Sequence, residues 1–105
     1  MITYQGKRRY RGTGPQPVLR GNDPLPLDPS LDLVKHSPYG FNWGYGGDGP
    51  KQLALALLLD VTKNPKVALQ FYHSFTSEFV SLWPETWSIT DDQIRNWLME
   101  GNAIN

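Results

Sequence analysis

The chain has 105 residues, enough for one modest hydrophobic core and too few for two, and its four Trp, five Tyr and four Phe must supply much of that core. Ten Lys and Arg balance ten Asp and Glu, and there is no cysteine, which excludes disulfides, thiolate metal sites and thiol catalysis. The longest apolar run, Leu53 to Leu59, falls far short of the ~20 residues that span a bilayer, and the N-terminus lacks the apolar core of a signal peptide. A cytoplasmic protein with no membrane contact is expected.

The neutral total hides an asymmetry. Residues 1–35 hold six Lys or Arg against three Asp, whereas residues 36–105 hold four against seven Asp or Glu. Lys7, Arg8, Arg9 and Arg11, interleaved with Tyr4 and Tyr10, suit an acidic protein face or the phosphates and bases of a nucleic acid. The competing reading is a solvated arm facing the chain's own acidic side.

Residues 1–49 are cut into short pieces by Gly and Pro, which leaves no room for helices of ordinary length. Short strands fit: Ile2 to Tyr4 forming a hairpin with Arg8 to Arg11, then Pro17 to Arg20, Leu31 to Val34 and Phe41 to Trp43, with Gly21-Asn22-Asp23 the best tight turn. At Pro50 the character turns helical. A first helix is predicted from about Pro50 to Val61, apolar on nearly every side and therefore central. Asn64-Pro65 opens a second helix that runs until Pro84, burying Ala68, Phe71, Tyr72, Phe75, Phe79, Leu82 and Trp83. Thr90-Asp91-Asp92-Gln93 is a capping box with Ile89 and Ile94 as its staple, and starts a third helix ending at Gly101. The whole chain, 1–105, reads as one α+β domain: residues 1–49 form a small antiparallel sheet, packed on two antiparallel helices and a short third helix from residues 50–105.

The run Gly44-Tyr45-Gly46-Gly47-Asp48-Gly49 before the first helix admits two explanations. The amides of Gly46, Gly47 and Gly49 with Lys51 could cradle a phosphate or carboxylate at the helix N-terminus, which would make the chain an anion or nucleotide binder. Against that, no Ser or Thr follows as in a Walker motif, Pro50 lacks an N–H, and Asp48 puts negative charge where the anion would sit. The balance favours architecture: glycines that let the backbone pass under Trp43 and Tyr45, with Asp48 capping the helix.

Catalysis finds little support. His36 and Ser37 are adjacent, so their side chains diverge, and His73 falls on the polar side of the second helix. His36 is expected to tie down the loop through its ring nitrogens. Asp91-Asp92 reads as first-turn charge on a capped helix rather than as a metal site. No enzyme activity, cofactor or metal is expected. Trp83 and Trp87, flanking Pro84-Glu85-Thr86, are candidate partner-binding aromatics, together with Arg8, Arg9, Tyr10 and Arg11.

The run from His36-Ser37-Pro38 through Gly40-Phe41-Asn42-Trp43-Gly44-Tyr45-Gly46-Gly47-Asp48-Gly49-Pro50 to Gln52-Leu53-Ala54-Leu55-Ala56 resembles the core of a small uncharacterised domain family found in bacteria, archaea, plasmids and phages. Leu25-Pro26-Leu27-Asp28-Pro29, Ile89-Thr90, Ile94, Trp97 and Leu98 fit the same pattern, so the resemblance covers nearly the whole chain. It implies a shared fold and a mobile-element origin, with no established activity. The resulting expectation is a non-enzymatic protein that docks on a host protein, for example as an anti-CRISPR-like inhibitor of a defence nuclease, with nucleotide or nucleic-acid binding as the alternatives.

Overall fold

The computed structural model describes residues 1–9 and 14–101. The α+β class holds, with a four-stranded antiparallel sheet ordered β3-β2-β1-β4. Its strands are β1 (Thr3–Lys7), β2 (Val18–Arg20), β3 (Asp23–Pro24) and β4 (Thr86–Thr90). The helices are α1 (Asp28–Leu31), α2 (Asp48–Thr62), α3 (Pro65–Glu78) and α4 (Asp91–Glu100), with a 3-10 turn at Val80–Leu82.

Strand β1 is central and differs from the expected hairpin of residues 2–4 with 8–11. It runs unbroken through Gly6, pairing Tyr4 with Arg20 on one side and with Ile89 on the other. Glycine is needed at position 6 for close packing, since a Cβ there would lie 2.5 Å from Trp87 Nε1 and 2.8 Å from the Trp43 ring. Strand β2 turns into β3 through Gly21-Asn22, as the turn residues predict, with Gly21 at φ 63°.

Three expectations need correction. The sheet is not wholly N-terminal: β4 comes from the C-terminal half, where Thr86-Trp87-Ser88-Ile89-Thr90 alternates exposed and buried residues along the strand. Leu31 to Val34 is no strand, because Asp28-Pro29 starts the short helix α1, with proline in the first turn where its missing N–H is harmless. Phe41 makes only an isolated bridge to Gln16, so residues 41–43 are loop.

Helix α2 starts at Asp48, earlier than predicted, and buries Leu53 to Leu58 without interruption among α1, α3 and α4. Helix α3 ends at Glu78 instead of running to Pro84, and Leu82, expected in the core, is 72% exposed. The capping box of α4 forms in full, Thr90 Oγ1 accepting from Gln93 N–H at 3.1 Å and Gln93 Oε1 from Thr90 N–H at 2.9 Å. Asp91 does more than charge the first turn. Its buried carboxylate accepts from the Ile2 N–H at 3.0 Å and meets Arg95 at 3.2 Å, pinning the start of the chain to α4. The Ile2 amide, with Asp92 N–H and Arg95 beside it, holds this carboxyl below the usual range despite its burial.

Candidate functional site

Two regions hold the residues singled out from sequence: the loop 36–49 and the open face of the sheet around the end of β1.

The loop is held from both ends by side chains that bond to backbone. Gln52, fully buried on α2, accepts from the N–H groups of His36 and Ser37 at 2.8 and 3.0 Å. Its amide nitrogen donates to Ser30 Oγ at 2.8 Å and to the Val34 carbonyl at 3.1 Å, so one glutamine joins α1, the loop and α2. Asn42, also buried, accepts through Oδ1 from the Trp43 N–H and from Arg8 Nη1, both at 2.9 Å, and donates to the Gly14 carbonyl at 2.8 Å. Arg8 then donates from Nη2 to the Trp43 carbonyl at 2.8 Å, with its guanidinium 5.0 Å over the indole. Trp43 itself has no exposed surface and donates from Nε1 to the Pro84 carbonyl at 2.9 Å.

The glycines fit around this frame. Gly44, at φ 83°, turns the chain in a conformation other residues adopt only under strain, and its N–H donates to the Val80 carbonyl at 2.9 Å. Gly49 is buried against Asn42, where a Cβ would come within 2.7 Å of the Asn42 Cβ, and Gly47 lies under the Tyr45 ring. Gly46 is exposed and Lys51 half-buried. Gly47 is the N-cap of α2 and receives no side-chain cap, so Asp48 does not cap the helix. Asp48 sits in the first turn, its carboxylate 3.7 Å from His36 Nδ1. His36 Nε2 lies 2.7 Å from the Tyr72 hydroxyl, which is the tethering role foreseen for its ring nitrogens. Burial pushes the imidazole below its ordinary pKa, helped by Lys51 and His73 and opposed by Asp48. Ser37 Oγ donates to the Gly40 carbonyl at 2.7 Å and stands apart from the His36 pair.

At the far end of α2, buried Tyr4 donates its hydroxyl to Asp60, and Arg20 Nε donates to the same oxygen at 2.8 Å. Burial works to raise the Asp60 pKa, but the bonds from Tyr4 and Arg20, with Lys63 nearby, outweigh it and hold the carboxyl below its usual value. Burial and the Asp60 bond push the Tyr4 hydroxyl well above its own.

The proposed partner contacts separate. Trp87 is only 5% exposed, its ring edge-on to Trp43, so it belongs to the core rather than to a binding surface. Trp83 is half-buried and stacked on Trp87 at 4.0 Å. Arg8 points inward to the loop. Tyr10 and Arg11 lie outside the described residues. Arg9 is exposed, with Lys7 beside it, next to a hollow on the open sheet face bordered by Gln5, Pro17, Leu19 and Thr86. The ion pairs among the described residues lie elsewhere, at Arg20 and Lys63 with Asp60, His36 with Asp48, and Arg95 with Asp91 and Asp92.

The sequence reading missed Gln52, Asn42 and Asp60. A Gln at the head of the apolar run Leu53 to Leu59 was the available signal for the first, since a polar side chain buried there needs its bonds satisfied.

Residues 4–100 match a family of unknown function, DUF6166, across nearly the whole chain. The chain belongs to the DUF6166 family. Membership of an uncharacterised domain family is thus shown, and the matched span includes the loop 36–49 with Arg8 and Gln52 that hold it. No curated protein and no solved structure matches the chain. No described helix is long and apolar enough to cross a membrane.

Proposed function

We propose that this DUF6166 protein is a non-enzymatic docking module that meets an acidic protein surface with the open face of its sheet. The observation that carries the reading is the division of its cations. Arg8, Arg20, Lys63 and Arg95 are engaged within the fold; of the cations with no carboxylate partner among the described residues, Lys35, Lys51 and Lys66 lie singly on other segments, whereas Lys7 and Arg9 stand together, exposed, at one end of β1. Uncompensated charge beside a shallow hollow steers an oppositely charged partner and sets register.

An acidic protein is favoured over single-stranded nucleic acid because the outward residues of the strands, Thr3, Gln5, Lys7, Leu19, Thr86 and Ser88, include no aromatic ring on which a base could stack. An anion or nucleotide at Gly46, Gly47, Gly49 and Lys51 is the competing proposal. Asp48 at the loop, Pro50 without an N–H, and Gly49 buried against Asn42 weigh against it. The finer form of our reading places the protein in the cytoplasm as the product of a phage or other mobile element, where it docks on a host protein such as a defence nuclease and inhibits it.

The test is capture from the native host with a tagged chain, repeated with Lys7→Glu/Arg9→Glu. One stoichiometric acidic partner, retained by the wild type and lost by the double variant, is the expected result. No partner, or a partner held equally by both forms, removes the proposal.

A further inference from the structure

The two edges of the sheet differ in what they offer to another strand. In β3 the Leu25 N–H donates to the Val18 carbonyl at 2.9 Å, so Pro24 between these ladder bonds turns its nitrogen outward and has no hydrogen to give. That edge is blocked.

The β4 edge is open. The Arg8 N–H donates to the Glu85 carbonyl and the Asp91 N–H to the Ile2 carbonyl, both at 2.9 Å. In an antiparallel ladder bonded and non-bonded pairs alternate, so Tyr4 with Ile89 and Gly6 with Trp87 are the pairs that exchange bonds. The backbone groups of Thr86, Ser88 and Thr90 therefore point away from the sheet. At the upper end the Thr90 N–H is taken by Gln93, and at the lower end Pro84 has no N–H and its carbonyl is taken by Trp43. What remains is the N–H and the carbonyl of Thr86 and of Ser88, two exposed residues with no backbone partner on that side among the described residues. The strand carries none of the usual guards of an edge: no Lys, no Pro and no bulge.

We propose that this edge pairs with β4 of a second copy, antiparallel and centred on Trp87, to make a continuous sheet across a two-fold dimer. Centring on Trp87 sets Thr86 opposite Ser88 of the copy and Ser88 opposite its Thr86, so every free donor meets a free acceptor. Centring on Ser88 would oppose Thr86 to Thr90, whose N–H is committed, and a parallel strand, in which each residue bonds to the two flanking its opposite number, would call on the committed groups of Pro84 or Thr90. A copy presents this pattern already ordered, whereas an unstructured peptide loses conformational freedom on binding. The blocked β3 edge closes the assembly at two copies instead of a filament. Apolar surface lies next to the seam: Trp83 stacks on Trp87, and Leu82 precedes it, exposed. The dimer would carry two Lys7 and Arg9 patches on its extended sheet, although the pairing does not depend on what those patches bind.

Light scattering and sedimentation equilibrium over a concentration series test this. The wild type runs as a dimer, and Ser88→Pro, which removes an outward N–H and none of the hydrogen bonds to β1, weakens association by about 100-fold. Should that variant fold poorly, Thr86→Lys/Ser88→Lys and Thr86→Glu/Ser88→Glu provide the second arm. Each alone is monomeric, and mixing the two restores a dimer through opposite charges on facing positions. A wild type that stays monomeric at all concentrations overturns the proposal, including one whose edge takes an extended peptide from another protein. So does a dimer that persists in both charge variants.

Discussion

The two ends of helix α2 are fastened by different chemistry. At its N-terminus the loop 36–49 is held by neutral or once-charged hydrogen bonds, from Gln52, Asn42 and Arg8 to backbone, wrapped around a fully buried indole. At its C-terminus a carboxylate, Asp60, gathers Tyr4, Arg20 and Lys63 near the surface. The first arrangement fixes shape and, being built mostly from neutral groups, should respond weakly to salt. The second fixes the sheet to the helix and titrates. Both sets are closed within the fold, whereas Lys7 and Arg9 stand exposed together beside the open sheet face.

The contrast can be broken most severely at the loop. Trp43→Ala should cost about 3–5 kcal/mol in chemical denaturation, because it empties the space between Gly6, Arg8 and Trp87. Gln52→Leu should follow at about 2–3 kcal/mol, since it strands the amides of His36 and Ser37 and the Val34 carbonyl away from water. Arg8→Met should cost about 1.5 kcal/mol, with little change between low and high salt. Arg20→Gln at the opposite end should cost under about 1 kcal/mol and lose most of its effect at high salt, because Arg20 is solvated and screened.

The smallest effects are titrations, and they sharpen the comparison by separating the ends in pH. His36 is held below its ordinary value of 6.5, so the unfolded chain binds its proton first and stability declines as pH drops below that value. His36→Gln should flatten that segment of the curve. Asp60, held below its usual value, contributes stability above about 3.8 that is lost as pH falls through its folded pKa. Tyr4, shifted upward, contributes stability that fades once pH exceeds 10, and Tyr4→Phe should lessen the fading, leaving the smaller part that the raised Tyr45 and Tyr72 supply. Equilibrium unfolding across the pH range reads all three.

Local signals made the helical half legible. The capping box of Thr90 and Gln93, the all-round apolar run of α2 and the Asn64 cap with Pro65 each declare themselves over a few residues, and Asn64 does accept from the amides of Lys66 and Val67. The sheet was legible only as a class. Strand β4 pairs with residues 79 to 87 positions away, and its Thr-Trp-Ser-Ile-Thr alternation was hidden by a stronger local signal, the staple and cap that follow it. Gly6 looks like a turn former in sequence but serves close packing, which depends on two tryptophans brought in by other segments. The loop's architectural role was readable from its composition, whereas the residues that enforce it, Gln52 and Asn42, act through contacts that only the fold creates.

The central claim is that the glycine loop is framework and the open sheet face is the working surface. Amide NMR of the labelled protein, titrated with polyglutamate and separately with inorganic phosphate, tests it most directly. The account predicts that polyglutamate shifts the amides of Gln5, Lys7, Arg9, Leu19 and Thr86, with an affinity that falls as salt rises, while phosphate leaves the loop unmoved. Saturable phosphate shifts concentrated at Gly46, Gly47, Asp48 and Gly49, with the sheet silent, would contradict it.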